Sequence, residues 1–373
     1  MSLFLLIIIS LFILSHVFLY MSWISFFNIK LLKSKTILGI IIAFLSLSFI
    51  GSSVLSHFYN NLFLNFYYLA SAAWTGLFIY LFLASLSLWI IKIIFKKIPL
   101  SVLLGIYMLA IGYTVFGFFN ASNPKLHFIQ VPIKNLPSQW QGKKIVQLSD
   151  LHLGKIWGHD FLKKIKDKVN SVNPDLIVIT GDLFDGMPNY LDEYLNEFKS
   201  FKSKNGIYFV SGNHEMYAGL NKIIPIIKKT NIHVLDNEVV NINGLRLVGV
   251  GFLHKDFKLE YSDLPTILLS HTPTNIGTQS KTRAQAYFEP DTDFTEAINA
   301  GVSLQLSGHT HKGQIVPLNF LTHYLFHGFD YGLHKIDNFY IYTSSGTSNW
   351  GPMIRTGSDA EIVVITLVGD NLK

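Results

Sequence analysis

Along the first third of the chain the apolar positions follow neither a two-residue nor a 3.6-residue period; they are nearly continuous, and the polar breaks are short. Four runs result: Leu3–Phe26, Thr36–Phe58, Leu62–Ile94 and Leu100–Phe119. Each is near the length an α-helix needs to cross a bilayer, where backbone polar groups must be satisfied inside the helix. The third is long enough to tilt or to project past the membrane. A cleavable signal peptide would account for the first run but not for the other three. Residues 1–120 therefore read as a transmembrane domain of four helices.

The pattern then changes. Residues 121–143 contain three prolines and little apolar periodicity, and read as a connector leaving the membrane. Beyond them, short apolar runs alternate with amphipathic segments. "KKIVQLSD", "PDLIVITGD" and "GIYFVSGNHE" read as strands. "DFLKKIKDKVNSVN", with Asp160 as a cap, and "YLDEYLNEFKSFK" read as the helices between them. Asn243-Gly244 marks a hairpin turn. "PTILLSHTP" and "GVSLQLSGHTH" follow as buried strands, and "FYIYTSSGT" and "AEIVVITLV" as closing ones. This order predicts a layered α/β sandwich, two β-sheets flanked by helices, over residues 144–373.

Charge sharpens the division. The whole chain carries +6, with 30 basic and 24 acidic residues. Lys30, Lys33, Lys35, Lys92, Lys96 and Lys97 are the only basic residues before residue 121, and no Asp or Glu precedes Asp150. The remainder therefore holds 30 − 6 = 24 basic and 24 acidic residues and is neutral, so nucleic acid is not an expected partner. Cysteine is absent, which excludes disulfides and thiolate metal sites and leaves oxygen and nitrogen as possible ligands.

Strand after strand ends in a polar group: "SDLH", "TGDLFD", "SGNHE", "SHTP" and "SGHTH". Each piece has an ordinary reading. Asp150-Leu151-His152 is compatible with a turn, Asp182 and Asp185 with a helix cap, Asn213 with a left-handed turn, and His271 with a buried histidine satisfied by backbone. His309 and His311 alone divide evenly between solvated loop residues and metal ligands. Convergence of strand carboxyl ends is where an α/β sheet builds its sites, so five such ends together favour a metal.

In order, D-x-H, G-D-x-x-D, G-N-H-E, a lone H and G-H-x-H resemble the calcineurin-like metallophosphoesterase family, in its membrane-anchored bacterial branch, over roughly residues 144 to 368. The resemblance implies two divalent metal ions, with manganese, iron and zinc all suited to such ligands. Asp150, His152, Asp182 and His311 would hold the first; Asp182, Asn213, His271 and His309 would hold the second. It also implies hydrolysis of a phosphomonoester or phosphodiester by a metal-bridging hydroxide. His214, not itself a ligand, would donate to the leaving group or bind a phosphoryl oxygen, its ring oriented by a hydrogen bond that the Asp185 carboxylate accepts. The chain departs from that branch at Lys312, in "GHTHKGQ", where glycine is usual; the lysine is expected in solvent. Arg355 stands at the branch's recurrent arginine, as a phosphate contact or a structural ion pair. The polar segment 274–294 reads as a loop bordering the site. His16, His57, His159, His254, His323, His327 and His334 match no motif position, although the last three could line the cleft.

Tethering to a bilayer points to a lipid or envelope-linked substrate. A membrane sensor or scaffold that keeps the metal site without turnover is the alternative. Lysines cluster between the first and second runs and between the third and fourth, and none lies between the second and third. The positive-inside rule then places those two loops in the cytoplasm, with both termini and the catalytic domain on the extracytoplasmic side of a bacterial cell membrane.

Overall fold

The computed structural model describes residues 2–186, 194–252, 257–276 and 288–370. The chain divides into two compact units, Met1–Phe119 with Gly351–Thr356, and Asn120–Trp350 with Gly357–Lys373.

The first unit is helical. α1 (Ser2–Phe26), α2 (Leu32–Phe58), α3 (Leu62–Phe95) and α4 (Leu100–Ser122) follow the four apolar runs, and all are long and apolar enough to cross a membrane. α2 begins earlier than its run, so Lys33 and Lys35 sit in its first turn. Lipid is as apolar as leucine, so apolar contact alone does little to bring such helices together; polar side chains between them do more. Here Ser52 and Ser71 pair at 2.6 Å, Ser85 and Tyr107 at 2.9 Å, and Trp89 donates to Ser22 at 2.9 Å. His16, partnerless in the sequence reading, has both ring nitrogens engaged. Nδ1 donates to the Phe12 carbonyl at 2.9 Å, and Nε2 accepts from Trp74 at 3.3 Å. The ring stacks on Phe78 at 3.5 Å.

The hexapeptide Gly351–Thr356 belongs to this unit. A side chain at Gly76 would come 3.0 Å from Ile354, and one at Gly117 would come 2.7 Å from Thr356. Tyr80 bonds the Thr356 hydroxyl, and the Arg355 N–H donates to the Gly117 carbonyl at 2.9 Å. Arg355 is fully buried.

The second unit is the sandwich. Its strands are β1 (Lys125–Ile133), β2 (Lys144–Leu148), β3 (Leu176–Thr180), β4 (Ile207–Val210), β5 (Ile232–Val234) and β6 (Glu238–Ile242), then β7 (Leu245–Val250), β8 (Thr266–Ser270), β9 (Val302–Ser307), β10 (Gly332–Ile336), β11 (Phe339–Thr343) and β12 (Glu361–Gly369). One sheet has the order β1-β12-β2-β3-β4-β5 and the other β10-β11-β9-β8-β7-β6. Alternation along each strand sorts the side chains. Leu176 and Val178 of β3 join Leu247, Ile267 and Leu304 in a core with members from both sheets. Ile177 and Ile179 face the other way, onto Leu162, Ile165 and Val169 of α5 (His159–Ser171) and Ile223 and Ile227 of α8 (Leu220–Ile227). Both faces are covered, which is why β3 reads as an unbroken apolar run. Among the described residues the remaining α-helices are α6 (Leu195–Phe198), α7 (Asn213–Ala218), α9 (Thr295–Asn299) and α10 (Leu318–Leu325).

Three local expectations change. The middle of the supposed connector is β1, paired in parallel with β12 from Lys125↔Glu361 to Ile133↔Gly369. Its prolines do not forbid this, because β1 is an edge strand and needs its N–H groups on one side only. Gly158, not Asp160, caps α5; Asp160 lies in the first turn, where a carboxylate complements the helix dipole. Of the helix read over 190–202, α6 covers Leu195–Phe198, and residues 190–193 lie outside the described residues. The Asn243-Gly244 turn is as expected: both residues have positive φ, at 50° and 80°, and they join β6 to β7 through Ile242↔Leu245.

Candidate metal centre

Five strand ends build the centre. β2 runs into Asp150 and His152, β3 into Asp182, β4 into Asn213 and His214, β8 into His271, and β9 into His309 and His311. Within each sheet these strands are parallel, so their carboxyl ends open at the same edge. All seven sequence-predicted ligand positions come together there, in two groups.

In the first group, His311 Nε2 lies 3.3 Å from Asp150 Oδ1 and 3.1 Å from His152 Nε2. In the second, Asn213 Oδ1 lies 3.0 Å from His271 Nε2 and 2.9 Å from His309 Nδ1. Asp182 stands where the groups meet. Its Oδ1 accepts the His214 N–H at 2.8 Å, while Oδ2 is 3.2 Å from His271 Nε2 and 3.9 Å from His152 Nε2.

The donor set fits divalent cations. His271 Nδ1 donates to the Thr180 carbonyl at 2.8 Å, so a neutral ring turns its Nε2 lone pair toward Asp182, Asn213 and His309. The facing Nε2 atoms of His152 and His311 present the same difficulty. Carboxylate oxygens and imidazole lone pairs converge in a buried volume and repel one another unless a positive charge lies among them. Oxygen and nitrogen without sulfur suit manganese, iron or zinc.

Without a metal, protons supply that charge. Burial alone would raise Asp182, but the charges of His271 and His214 and the bond from His271 hold it well below the usual carboxylate range. Asp150 is likewise lowered, against burial, chiefly by His311. Burial alone would lower His271, but Asp182 outweighs it and raises the imidazole to about 9. Burial and then the charge of His271 depress His309 to about 3. Burial and His214 hold His152 well below its ordinary value.

The backbone is bent to make this possible. Asp150, His152, Asp182, His309 and His311 all have positive φ, between 44° and 72°. Non-glycine residues held there cost about 1–3 kcal/mol each, which the surrounding structure must offset. Glycines clear the space. A Cβ at Gly308 would lie 1.9 Å from Ser149 Oγ and 2.3 Å from Asp150 Oδ2, and one at Gly212 would lie 2.2 Å from Asp182 Oδ1.

Glu215, the last residue of G-N-H-E, has a role that the motif does not reveal. Its buried carboxylate accepts N–H groups from Asp182 at 2.9 Å, Gly212 at 2.8 Å and Phe184 at 3.1 Å, tying the β3 end to the β4 end. Burial and the charge of Asp182 raise it to about 7. The legible signal was a glutamate three residues after a helix-capping glycine, the geometry of a capping box. The loop 344–348 was also missed: Ser348 Oγ donates to the carbonyls of Asp150 at 3.0 Å and Leu151 at 2.7 Å. No motif reading exposes that contact, because it joins residues nearly 200 positions apart.

The His214 expectation needs a correction in detail. Its Nδ1 donates to the main-chain oxygen of Asp185 at 2.9 Å, so backbone fixes the tautomer. The Asp185 carboxylate lies instead against Gly154, where a Cβ would meet Oδ2 at 2.1 Å, and its charge acts on Lys155. Lys312 does not extend freely into solvent; its Nζ lies 4.1 Å from the ring centre of Tyr331. His323, His327 and His334 bond to Asp330, Thr292 and Tyr331. His254 and residues 277–287 of the bordering loop lie outside the described residues.

Two sheets with a cluster of carboxylate, amide and imidazole groups at one edge fit a metal-dependent hydrolase as a class. Residues 143–313 match the calcineurin-like phosphoesterase family. An uncharacterized metallophosphoesterase of Campylobacter jejuni is 36% identical over 260 residues, 66% of this chain and 64% of that protein. One from Helicobacter pylori is 30% identical over 338 residues, 84% of this chain and 86% of that protein. A bovine transmembrane protein with metallophosphoesterase domain is 33% identical over 300 residues, 73% of this chain and 63% of that protein. The chain thus spans just under two thirds of the Campylobacter and bovine relatives. It belongs to the calcineurin-like metallophosphoesterases, metal-dependent phosphoester hydrolases, and joins that domain to four candidate membrane helices.

Gly308→Ala is expected to displace Asp150 and strip bound metal while the sandwich stays folded, checked by metal analysis beside circular dichroism. A second expectation concerns protons. His271 is raised to about 9, so at pH 8 the metal-free protein still holds the proton that a ligating Nε2 must lose. Metal uptake at pH 8 should release about one proton from this residue, and affinity should rise toward pH 9 by roughly tenfold per unit. Calorimetry in buffers of different ionisation enthalpy measures the release; none would refute the assignment.

Proposed function

We propose that this chain hydrolyses a phosphomonoester or phosphodiester with two divalent ions, one held by Asp150, His152, Asp182 and His311 and the other by Asp182, Asn213, His271 and His309. The position of Asp182 Oδ2, within 4 Å of a histidine nitrogen from each group, carries this reading. Two cations close together repel, and a shared carboxylate offsets that repulsion. When bound, the ions would neutralise phosphoryl charge and lower the pKa of water.

The chain's own residues do the rest. Asn213 contributes a neutral oxygen and the histidines neutral nitrogens, so the site does not become too negative for an anionic substrate. His214 is half-buried, its ring 4.5 Å from that of His152, and its Nδ1 is held by the Asp185 carbonyl. Its Nε2 is therefore the atom that would pass a proton to the leaving oxygen. The four apolar helices support a lipid or envelope-linked phosphoester as substrate, since they keep the site at a bilayer.

The same helices supply the topology. Lys33 and Lys35 open α2, Lys92 lies in the last turn of α3 with Lys96 at its end, and the α2–α3 turn holds no lysine or arginine. The positive-inside rule puts the lysine-bearing ends in the cytoplasm and the phosphoesterase unit on the opposite side.

Asp182→Ala is expected to lose both metal and turnover. His214→Ala should keep its metal but lose roughly 10²–10⁴ in kcat. Asp185→Asn, which leaves the main-chain acceptor in place, should lose less than about tenfold. Metal content and hydrolysis of a chromogenic phosphodiester with Mn²⁺ decide between these roles and a site without turnover. A reporter active only outside the cytoplasm, fused after Lys373, should be active; a cytoplasmic reporter active there would reverse the orientation.

A further inference from the structure

α10 is built inside out. At about 100° per residue, Phe320, Tyr324, Leu321, Leu325 and Leu318 form one continuous apolar arc of roughly 160°. In a domain helix that arc faces the core. Here Leu318 is 52% exposed, Phe320 69%, Leu321 54% and Tyr324 77%. On the polar arc, Asn319 and Thr322 are the residues that pack, both half-buried. A Cβ on Gly313 would lie 2.3 Å from Asn319 Cα and 2.8 Å from Thr322 Oγ1, so Asn319 and Thr322 press on the end of the metal-binding loop. His323 is anchored to Asp330 at 2.8 Å, and Thr310, between the two loop histidines, donates to the Asp330 carbonyl at 2.6 Å. At the far end, the Phe326 ring lies 6.3 Å from that of His309.

We infer that α10 is an interfacial helix, and that Leu318, Phe320, Leu321 and Tyr324 insert into the headgroup boundary of a lipid bilayer beside the metal centre. A large exposed apolar surface marks an interaction site, and three observations make the occupant lipid. The bilayer accompanies the chain, since α4 ends at Ser122 and β1 begins at Lys125. No Asp or Glu occurs from Ala297 to Phe329, in a half otherwise rich in acids, so anionic headgroups would meet no repulsion from that stretch while Lys312 lies within it. The outermost groups are aromatic, as interfacial anchors are. Trp350 adds to them: it is half exposed and bonded twice to Gln314, just before α10. A membrane-embedded α10 would place the loop of His309 and His311 against the lipid surface. The inference stands whichever phosphoester is hydrolysed.

The chain has no cysteine, so Phe320→Cys introduces a single thiol. It would carry an environment-sensitive fluorophore in the full chain, reconstituted in nanodiscs of phosphatidylcholine and phosphatidylglycerol. Lys228→Cys, at an exposed position after α8, is the reference. The expected result is blue-shifted emission at position 320 and loss of intensity with lipids carrying a nitroxide near the headgroup, with neither at position 228. Unchanged metal content shows that the labelled protein is folded. Water-like emission at 320 would overturn the inference. So would a blue shift without nitroxide quenching, meaning that protein covers the helix, or self-quenching that rises with the labelled fraction, meaning that a second copy does.

Discussion

Electrostatic repulsion inside one buried pocket is the constraint on which the second unit depends. Asp150, Asp182, Asn213 and the imidazoles of His152, His271 and His311 are buried, with His309 half-buried beside them, and their polar atoms converge. No ordinary packing argument would assemble them. The ε of such a site amplifies every charge, so the pocket is stable only when positive charge lies within it. Asp182 raises the His271 imidazole, and burial together with the charge on His271 depresses His309, whose Nδ1 lies 3.2 Å from His271 Nε2. Divalent ions would satisfy every lone pair at once, which is the chemistry that family membership predicts.

Much of the surrounding fold can be understood as the means of holding that pocket rigid. Five residues with positive φ would together cost about 5–15 kcal/mol, comparable to the whole stability of a domain. The offset comes from the sandwich core and from buried polar clamps. Glu215 ties together the ends of β3 and β4, and Ser348 caps the carbonyls after β2. A further buried carboxylate, Glu361, accepts from Ser344, Tyr342 and the Ser345 N–H, fixing the start of the loop that carries Ser348. Removing a methyl-sized space at Gly308 or Gly212 has the same meaning as removing a ligand, because the carboxylate behind it has nowhere to go.

The helical unit obeys different rules. Its outer faces are apolar, and its interior combines buried apolar side chains such as Leu19 and Leu88 with serine, tyrosine, tryptophan and histidine hydrogen bonds. Net charge separates the halves as cleanly as hydropathy does: the first carries lysines alone, and the second is neutral. The hexapeptide Gly351–Thr356 is the exception to the linear division, because chain from the second half packs against Gly76 and Gly117 of α3 and α4.

The sequence by itself determined the four apolar helices, the short apolar runs of the sandwich strands and which polar residues stand at the strand ends that converge. Each is a local property: the length of an apolar run, or a polar residue at its end. β1 escaped because its edge position, which tolerates Pro132, is decided by pairing with β12 more than 200 residues later. The acceptor of His214 escaped for a similar reason, since sequence names a side chain but not whether its carbonyl or its carboxylate turns inward. That Arg355 would be fully buried, in a hexapeptide grouped with the helices, was not legible, because it depends on the path of the chain. The apolar residues of α10 were visible from the start, but their direction was not. A helix of that composition normally faces inward, and only the tertiary packing of Asn319 and Thr322 on Gly313 turns it outward.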